Sequence, residues 1–243
     1  MKIRIFARHC KFSSNSANKA RPSWFTREGC FNSFINTLDT DCELNICFDG
    51  TLTGSGHFLE NDKYKGKFKL YEKQGGNDAK SFLNLLDTVK ASDFSDYDIL
   101  YFVEDDYLHN IGWPKILREG FKYIDVDYIT LYDHNDKYFF EMYEDLMSKV
   151  GLTPSVHWKT IPNTTNTYAC LGKTFKRDFA IHVKYCDVAG GLTRDFDKFY
   201  ELTSTGKTLI NPIPGYSTHC EPDFMSPVVN WENIFKKLQN YEN

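Results

Sequence analysis

The stretch Ile99-Leu-Tyr-Phe-Val-Glu-Asp-Asp-Tyr107 decides the fold, because five apolar residues run directly into three carboxylates. A short apolar run between polar segments is typical of a strand that is buried on both faces, as in a parallel sheet. The acids Glu104, Asp105 and Asp106 then lie at the carboxyl end of that strand, where open α/β sheets bind their ligands. Two interpretations stay open: the acids bind a divalent cation, which offsets their mutual repulsion, or they form an acidic surface turn.

The composition indicates a globular chain and argues against several classes of protein. Of the 243 residues, 41% are hydrophobic and 26% are charged, which is typical of a globular protein and not of a disordered one. The net charge of −4 argues against a general nucleic-acid binder. No apolar run approaches the ~20 residues that a transmembrane segment needs, and Met1–Phe6 is too short and too charged for a secretory signal. The seven cysteines are scattered without a CxxC pair, so we expect reduced thiols and a cytoplasmic protein.

Hydrophobic periodicity predicts alternating strands and helices in the first half of the chain. Strands over 2–6 and 44–48 flank a helix over 24–38, for which Ser23 is the expected N-cap. A second helix is predicted over 78–90, directly after the turn at 75–77. The other predicted elements are strands at 67–71, 128–132, 156–161 and 167–171, a strand and turn over 208–220, and helices that start at 113, 138, 175, 194 and 231, the last extending to Tyr241.

The second half of the chain has a more mixed pattern, which begins near 151–155. The helix over 138–150 carries an apolar stripe that we expect to pack in the core. A polar turn at 162–166 separates two β-like segments, so 156–161 and 167–171 are predicted to form a hairpin. We find no clean domain boundary and expect a single domain over 1–243.

The order of these elements, taken with three motifs, resembles the GT-A glycosyltransferases over most of the chain. Glu104-Asp105-Asp106 resembles the Asp-x-Asp metal motif of that family, with Glu in the place of the first Asp. Arg194-Asp-Phe-Asp197 lies where many inverting members carry Glu-Asp at the start of a helix. Pro214-Gly-Tyr-Ser-Thr-His219 resembles the turn that carries a late histidine. A narrower resemblance, around 104–107 and 214–220, is to the small glycosyltransferase domains of large algal viruses.

The resemblance implies a fold and a set of roles. The fold is an α/β, Rossmann-like single domain of the GT-A type, with a mixed and mostly parallel central sheet flanked by helices. Residues 1–107 would form the half that binds the nucleotide-sugar, and residues 108–243 the half that carries the acceptor site and the catalytic residue. The residues expected on the nucleotide-sugar are Ala7, Arg8, Asp49, Asn77, Lys80, Glu104 and Asp105, and those expected against an acceptor sugar are Trp158 and Tyr168.

Three further residues would carry the metal and the chemistry. By resemblance, Asp106 and His219 would hold Mn²⁺ or Mg²⁺. Asp195 would be the catalytic base of an inverting enzyme, and Asp197 is the alternative because Arg194 replaces the first acid of the family's pair. Other interpretations stay open, since an acid at a helix start also stabilises the helix dipole and a loop histidine often has no special role.

The implied function is metal-dependent transfer of a sugar from a nucleotide-diphosphate-sugar, with a UDP-sugar as the first expectation, to a glycan or a protein-linked acceptor. One alternative is a sugar nucleotidyltransferase, but residues 8–22 contain no glycine for the expected phosphate loop. The other is a carbohydrate-binding or scaffold domain that has kept the fold and lost the activity. The sequence leaves open the donor sugar, the acceptor, the inverting or retaining outcome, the oligomeric state, and whether the chain belongs to a longer polypeptide.

Overall fold

The computed structural model describes residues 1–239, apart from the side chains of Ser14 and Asn15. The strands are β1 (Ile3–Cys10), β2 (Cys42–Asp49), β3 (Lys69–Lys73), β4 (Ile99–Glu104), β5 (Tyr107–His109), β6 (Tyr128–Ile129), β7 (Val150–Leu152), β8 (His157–Thr160), β9 (Tyr168–Leu171), β10 (Cys186–Asp187), β11 (Leu192–Thr193), β12 (Leu209–Ile213) and β13 (Ser217–His219). The helices are α1 (Ser14–Ala17), α2 (Arg27–Ile35), α3 (Asp78–Ala91), α4 (Trp113–Tyr123), α5 (Gly172–Lys184), α6 (Asp195–Ser204) and α7 (Trp231–Gln239). Short 3₁₀ helices lie at Phe58–Glu60, Asp62–Tyr64, Asn135–Tyr138, Glu141–Tyr143 and Pro222–Phe224.

A nine-stranded mixed sheet forms the centre of the protein, in the order β3-β2-β1-β4-β9-β6-β12-β8-β7. The pairs among β3, β2, β1 and β4 are parallel, and so is the pair of β6 with β12. Only β8 and β9 run against the other seven strands of this sheet. Two small antiparallel sheets, β10-β11 and β5-β13, complete the described part of the chain. The observed arrangement is an α/β fold with a mixed and mostly parallel central sheet flanked by helices, so the predicted α/β fold class is confirmed.

Strand β4 is buried on both faces because its side chains alternate between two cores. Ile99, Tyr101 and Val103 join the core that contains Trp113 of α4. The two residues between them join the core that α3 and α5 build on the other face of the sheet. The unbroken apolar run therefore reflects a central strand, which delivers the acidic residues to the edge of the sheet. The strands of 1–107 and of 108–239 share one sheet, and the division of roles between these halves stays a prediction.

Several predicted boundaries differ from the observed ones for local reasons. Helix α2 begins at Arg27 and not at 24, because the Thr26 hydroxyl, and not Ser23, accepts from the Gly29 N–H at 2.9 Å. The strand predicted at 67–71 lies two residues later, and the one predicted at 128–132 is reduced to β6. Helix α3 agrees with its prediction to within one residue. Tyr241, which the prediction of the last helix included, lies outside the described residues.

The amphipathic helix predicted over 138–150 is wrong. This segment forms two 3₁₀ turns followed by β7, and apolar side chains such as Phe139 and Met147 are exposed. Polar side-chain contacts account for the difference: the Tyr138 hydroxyl donates to Asp133 Oδ2 at 2.7 Å, and Tyr143 forms a hydrogen bond with Asn163. These contacts fix the turns and override the helical period of the sequence.

The hairpin predicted between 156–161 and 167–171 is also wrong. Strand β8 pairs with β12 and β7, whereas β9 pairs with β4 and β6. Strands β8 and β9 run in the same direction, so the connection over 162–166 passes from one end of the strands to the other and is not a tight turn. It brings Thr165 and Asn166 to the cleft described below.

Candidate functional site

A cleft of about 960 Å³ lies where β1, β2 and β4 end. Its floor is the acidic motif at the end of β4, and its walls are the start of α3, the β10-β11 hairpin, the start of α6 and the segment that follows β1. A second cavity of about 610 Å³ lies elsewhere against β1 and β2, and Arg4 and Lys69 in its lining both pair with Glu43. The carboxyl ends of parallel strands are the usual ligand site of such sheets, so we place the candidate site in the first cleft. The predicted site residues that line it are Arg8, Asp49, Asn77, Glu104, Asp105, Asp106, Asp195 and His219.

The pairing of β5 with β13 brings Asp106 and His219 together, although they are 113 positions apart. In this ladder His219 is the partner of Tyr107, and the Cys220 N–H donates to the Asp106 carbonyl at 3.0 Å. The rings of Tyr107 and His219 stack with their centroids 5.2 Å apart. As a result, His219 Nε2 lies 3.0 Å from Asp106 Oδ2, with both side chains almost fully buried.

Two cations of the loop after β1 complete this cluster. Arg21 donates to Asp106 Oδ2 at 2.8 Å and to the Cys220 carbonyl at 2.8 Å, so it fastens the loop over the acidic motif. Lys19 Nζ lies 3.3 Å from His219 Nε2 and 3.7 Å from a carboxylate oxygen of Glu221. Burial alone would raise the pKa of Asp106, but His219, Lys19 and Arg21 outweigh it and hold this pKa well below its usual range. Asp106 is therefore an ionised carboxylate in a cationic surrounding.

The other two acids of the motif have different partners. Glu104 accepts from Arg8 Nη2 at 2.7 Å, and Asp105 lies 3.4 Å from Arg27 Nε. Burial, together with the neighbouring carboxylates of Asp106 and Glu104, raises the pKa of Asp105 to about 7 although Arg27 opposes it. Each of the three adjacent acids thus has a different arginine as its partner, and of the three only Asp106 contacts His219.

Arg8 connects three elements at the floor of the cleft. Besides Glu104, it donates to Asp78 Oδ1 at 2.6 Å, and Asp78 Oδ2 accepts from the N–H and the hydroxyl of Thr193. The ends of β1 and β4, the start of α3 and strand β11 are therefore tied by one network. Arg8 lines the cleft as the sequence predicted, but both of its observed ion pairs are within the protein.

The ends of β2 and the start of α3 form the opposite wall. Asp49 Oδ1 accepts from the Gly75 N–H at 2.7 Å, and its carboxylate also accepts from the Gly76 N–H. A Cβ at Gly75 would lie 2.7 Å from Asp49 Oδ2, so the loop can approach this carboxylate only with glycine there. Asn77 is the N-cap of α3, where its Oδ1 accepts from the Lys80 N–H at 2.8 Å. Both predicted residues thus shape the wall, and their contact with a ligand stays a prediction.

Asp195 is the first residue of α6, and it lines the cleft. Its Oδ1 accepts from the N–H of Phe196 at 2.9 Å. Burial raises its pKa, Asp78 adds to this effect, and Lys198 opposes it. The alternative acid, Asp197, is exposed, lies outside the cleft lining and faces Arg194 at 3.9 Å. The placement therefore favours Asp195 over Asp197.

Four other predicted residues do not lie where the sequence placed them. Trp158 and Tyr168 are fully buried, and their polar atoms are used inside the core, so the prediction that they form acceptor walls is wrong. Ala7 points into the core because it alternates with Arg8 along β1. Lys80 follows the cleft-lining start of α3, but it does not line the cleft itself. Sequence reasoning missed Lys19, Arg21 and Asn166, because only the tertiary fold brings these loop residues to the acids.

The residues present fit a divalent ion that arrives with a phosphorylated substrate. A carboxylate oxygen and an imidazole nitrogen both suit Mn²⁺, and the facing atoms of Asp106 and His219 are close enough to reach one ion. Arg21 and Lys19 contact these same two atoms, so the ion would take the place of their contacts. Within residues 1–239, no group of three or more His, Cys, Asp or Glu side chains is arranged to hold a metal. The remaining ligands would be phosphate oxygens and water, as is usual for Mg²⁺.

No protein-family model and no curated protein sequence matches the chain significantly. Solved structures with a similar fold include S. aureus TarS 1–349, which is 13% identical over 87% of this chain and 58% of that chain, with a TM-score of 0.49. Its complex with UDP-GlcNAc is 17% identical over 54% of this chain and 34% of that chain, with a TM-score of 0.36. The chain thus spans between one third and three fifths of the length of the TarS structures.

Two further structures share the general arrangement. The galactosyltransferase LgtC, solved with donor and acceptor sugar analogs, is 9% identical over 86% of this chain and 72% of that chain, with a TM-score of 0.49. The CMP:2-keto-3-deoxy-manno-octonic acid synthetase complexed with CTP is 11% identical over 91% and 94% of the two chains, with a TM-score of 0.47. Identities and TM-scores this low carry no conclusion about function, for which the residues of the cleft provide the support. The resemblance to algal viral domains stays a prediction.

Proposed function

We propose that this protein is a glycosyltransferase that moves a sugar from a nucleotide-diphosphate-sugar to a glycan or protein-linked acceptor. The observation that carries the proposal is the convergence of Asp106 and His219 with Lys19 in the same cleft as Asp195. One side of the cleft thus offers groups for a diphosphate, and another offers a carboxylate for the acceptor. A hexosyl or deoxyhexosyl donor carried by UDP is the first to test.

The donor is proposed to lie along the ends of β1, β2 and β4. The base and ribose would face Asp49 and Asn77, which form the wall beside α3. The diphosphate would face Lys19 and His219, because an ammonium group and an imidazole ring favour an anion there. Asp106 and His219 would hold Mn²⁺ or Mg²⁺, and the ion, when bound, would offset the charge that develops on the leaving diphosphate.

Asp195 is proposed to be the catalytic base if the reaction inverts the anomeric carbon. Its carboxylate would accept the proton of the acceptor hydroxyl while the acceptor oxygen bonds to the anomeric carbon. The bond from that carbon to the diphosphate oxygen would break, and the nucleoside diphosphate would leave with the electron pair. Burial raises the pKa of this carboxyl, which makes it a stronger base than an exposed aspartate.

Calorimetric titration with UDP, GDP and their sugars, with and without Mn²⁺, tests the proposal. We expect the wild type to bind one nucleotide, Asp106→Asn to bind it at least about tenfold more weakly, and Asp197→Asn to bind it like the wild type. Asp195→Asn should keep donor binding and lose nucleotide release during turnover. Circular dichroism of each variant would exclude a folding defect.

Two results would contradict the proposal. A folded wild type that binds none of these nucleotides, with or without metal, would favour a scaffold domain. Release of pyrophosphate from a nucleoside triphosphate and a sugar phosphate would indicate a sugar nucleotidyltransferase.

Residues 1–239 contain no helix that is long and apolar enough to cross a membrane, and a cytoplasmic location stays a prediction.

A further inference from the structure

Lys198 is a buried lysine beside the cleft, and it has no role in the reaction proposed above. It lies on α6, three residues after Asp195, and only 1% of it is exposed. Its ammonium group donates to Asn166 Oδ1 at 2.6 Å. Its Nζ also lies 4.7–4.9 Å from the centroids of three aromatic rings, those of Phe82, Tyr168 and Phe199.

The charge of Lys198 is expensive to bury. Taking an ammonium group out of water is costly, and contact with aromatic faces and one amide oxygen offsets only part of the cost. Burial accordingly lowers the pKa of Lys198 to about 8, although Asp195 acts against this effect. An apolar side chain of similar length would fill the same space among the rings without that cost. This comparison indicates that the charge itself has a use.

The hydrogen bonds of Asn166 connect the lysine to the surface of the cleft. Asn166 lines the cleft, and its Nδ2 donates to Thr193 Oγ1 at 2.8 Å. Thr193 in turn donates to Asp78, which is the partner of Arg8. Lys198 thus fixes the orientation of an amide that a ligand in the cleft would meet.

The charges around Asp195 show why a cation is needed there. Asp78 at the start of α3 and Glu104 at the end of β4 both interact with Asp195 as like charges. Arg8 pairs with these two carboxylates, at 2.6 and 2.7 Å, and compensates them. The opposite charge that acts on Asp195 is that of Lys198, which lies three residues further along α6 and so on the same side of the helix. The other titratable groups that interact with Lys198 include Arg8 of β1, Glu104 of β4, Cys170 of β9, His182 of α5 and Cys186 of β10.

We propose that Lys198 is a positioning residue of the transfer reaction, which keeps the carboxylate of Asp195 ionised and holds the amide of Asn166 at the cleft. This inference rests on the proposed function, since it gives Asp195 the part of the base. It adds a residue that neither the sequence motif nor the metal cluster includes. Without the positive charge, Asp195 would share a desolvated site with two carboxylates, and it would take up a proton at a higher pH.

The pH dependence of turnover tests the inference. The rate of nucleotide release from the nucleotide-sugar that binds in the calorimetric test is measured between pH 5 and 9. In Lys198→Met the acidic limb of kcat/KM should move upward by about one pH unit or more, as for the loss of a nearby opposite charge. Lys198→Arg should restore the limb towards the wild type. Lys184→Met, which removes an exposed cation on α5, should leave it unchanged.

Lys198→Gln guards against a variant that fails to fold, because glutamine removes the charge and keeps an N–H donor for Asn166 on a side chain that is one atom shorter. It should shift the limb as Lys198→Met does while binding the donor like the wild type. An unshifted limb in a folded Lys198→Gln or Lys198→Met protein with normal donor affinity would overturn the inference and leave the proposed function standing. A wild type that releases no nucleotide overturns the proposed function first, and the part of Lys198 falls with it.

Discussion

Replacing Arg8 by methionine should destabilise the protein more than replacing any exposed arginine. The Arg8 side chain is 12% exposed and forms ion pairs of 2.6 and 2.7 Å with Asp78 and Glu104. Removing one partner of a buried ion pair costs about 3–5 kcal/mol, because the remaining charges stay buried without a partner. The two carboxylates are 24% and 26% exposed and keep part of their hydration. We therefore expect a loss at the lower end of that range, about 3 kcal/mol.

Arg118→Met is the matched control for this prediction. Arg118 also forms a two-pronged contact with a carboxylate, through Nη1 and Nη2 on Asp39, but this pair is more exposed, at 20% for Arg118 and 44% for Asp39. Exposed ion pairs contribute about 0–1 kcal/mol, so the control should lose no more than that. Urea unfolding followed by circular dichroism at pH 7 gives both free energies. For a chain of this size, a loss of about 3 kcal/mol corresponds to a fall in Tm of roughly 6–12 °C.

The comparison has a clear refuting outcome. If Arg8→Met loses less than about 1 kcal/mol, or no more than Arg118→Met, then the ion pairs of Arg8 do not hold the cleft together. In that case Arg8 would be free to serve a ligand, as the resemblance first implied. A large loss of stability would instead show that the cleft is held in shape by this residue before any ligand binds.

Two further outcomes follow from buried residues. Burial lowers the pKa of His182 to about 3, so below about pH 6.5 the unfolded chain takes up a proton that the folded protein rejects, and this residue alone lowers stability by about 2 kcal/mol between pH 7 and pH 5. The total fall in the unfolding free energy should be smaller by about 2 kcal/mol in His182→Gln. It should be unchanged in His157→Asn, whose side chain is exposed. Equal pH profiles of the unfolding free energy in the wild type and His182→Gln would refute the prediction. Trp158→Ala should lower the free energy of unfolding by about 3–5 kcal/mol and leave the acceptor preference unchanged. Replacing the exposed Phe139 by alanine should change the stability little. An altered KM for the acceptor in a stable Trp158→Ala protein would restore the prediction that Trp158 contacts the acceptor.

The sequence predicted the elements whose signals are local. The apolar run of β4, the period of α3 and the turn before α3 lie within single segments, and they agree with the structure. The segment 138–150 has an equally clear period, but its tyrosine hydroxyls form hydrogen bonds with Asp133 and Asn163, two polar residues that lie outside the segment. The type of an element can therefore be predicted where burial follows the hydrophobic period. The prediction fails where polar contacts with residues outside the segment determine its conformation.

The same distinction applies to the site. The three acids and His219 could be found because sequence motifs carry them, and the strand ends bring them together as expected. Lys19 and Lys198 could not be found, since a lysine in a polar loop or on a helix is by default a solvated side chain. Their positions depend on which strands pair and which helix packs below the cleft. The acceptor prediction failed for a related reason, because aromatic residues serve the core as well as a sugar site.

The pairing of β5 with β13 affects when the site forms during folding and how often it is intact in the folded protein. It joins residues more than one hundred positions apart, and Arg21 reaches Cys220 across 199 positions. Contacts of such sequence separation form late in folding, because the entropy of closing the intervening loops opposes them. A short two-stranded ladder also opens more readily than a nine-stranded sheet, so molecules with an intact core can lack the site. Amide hydrogen exchange at β13, compared with that at β4, would therefore measure the fraction of folded molecules that are competent to bind.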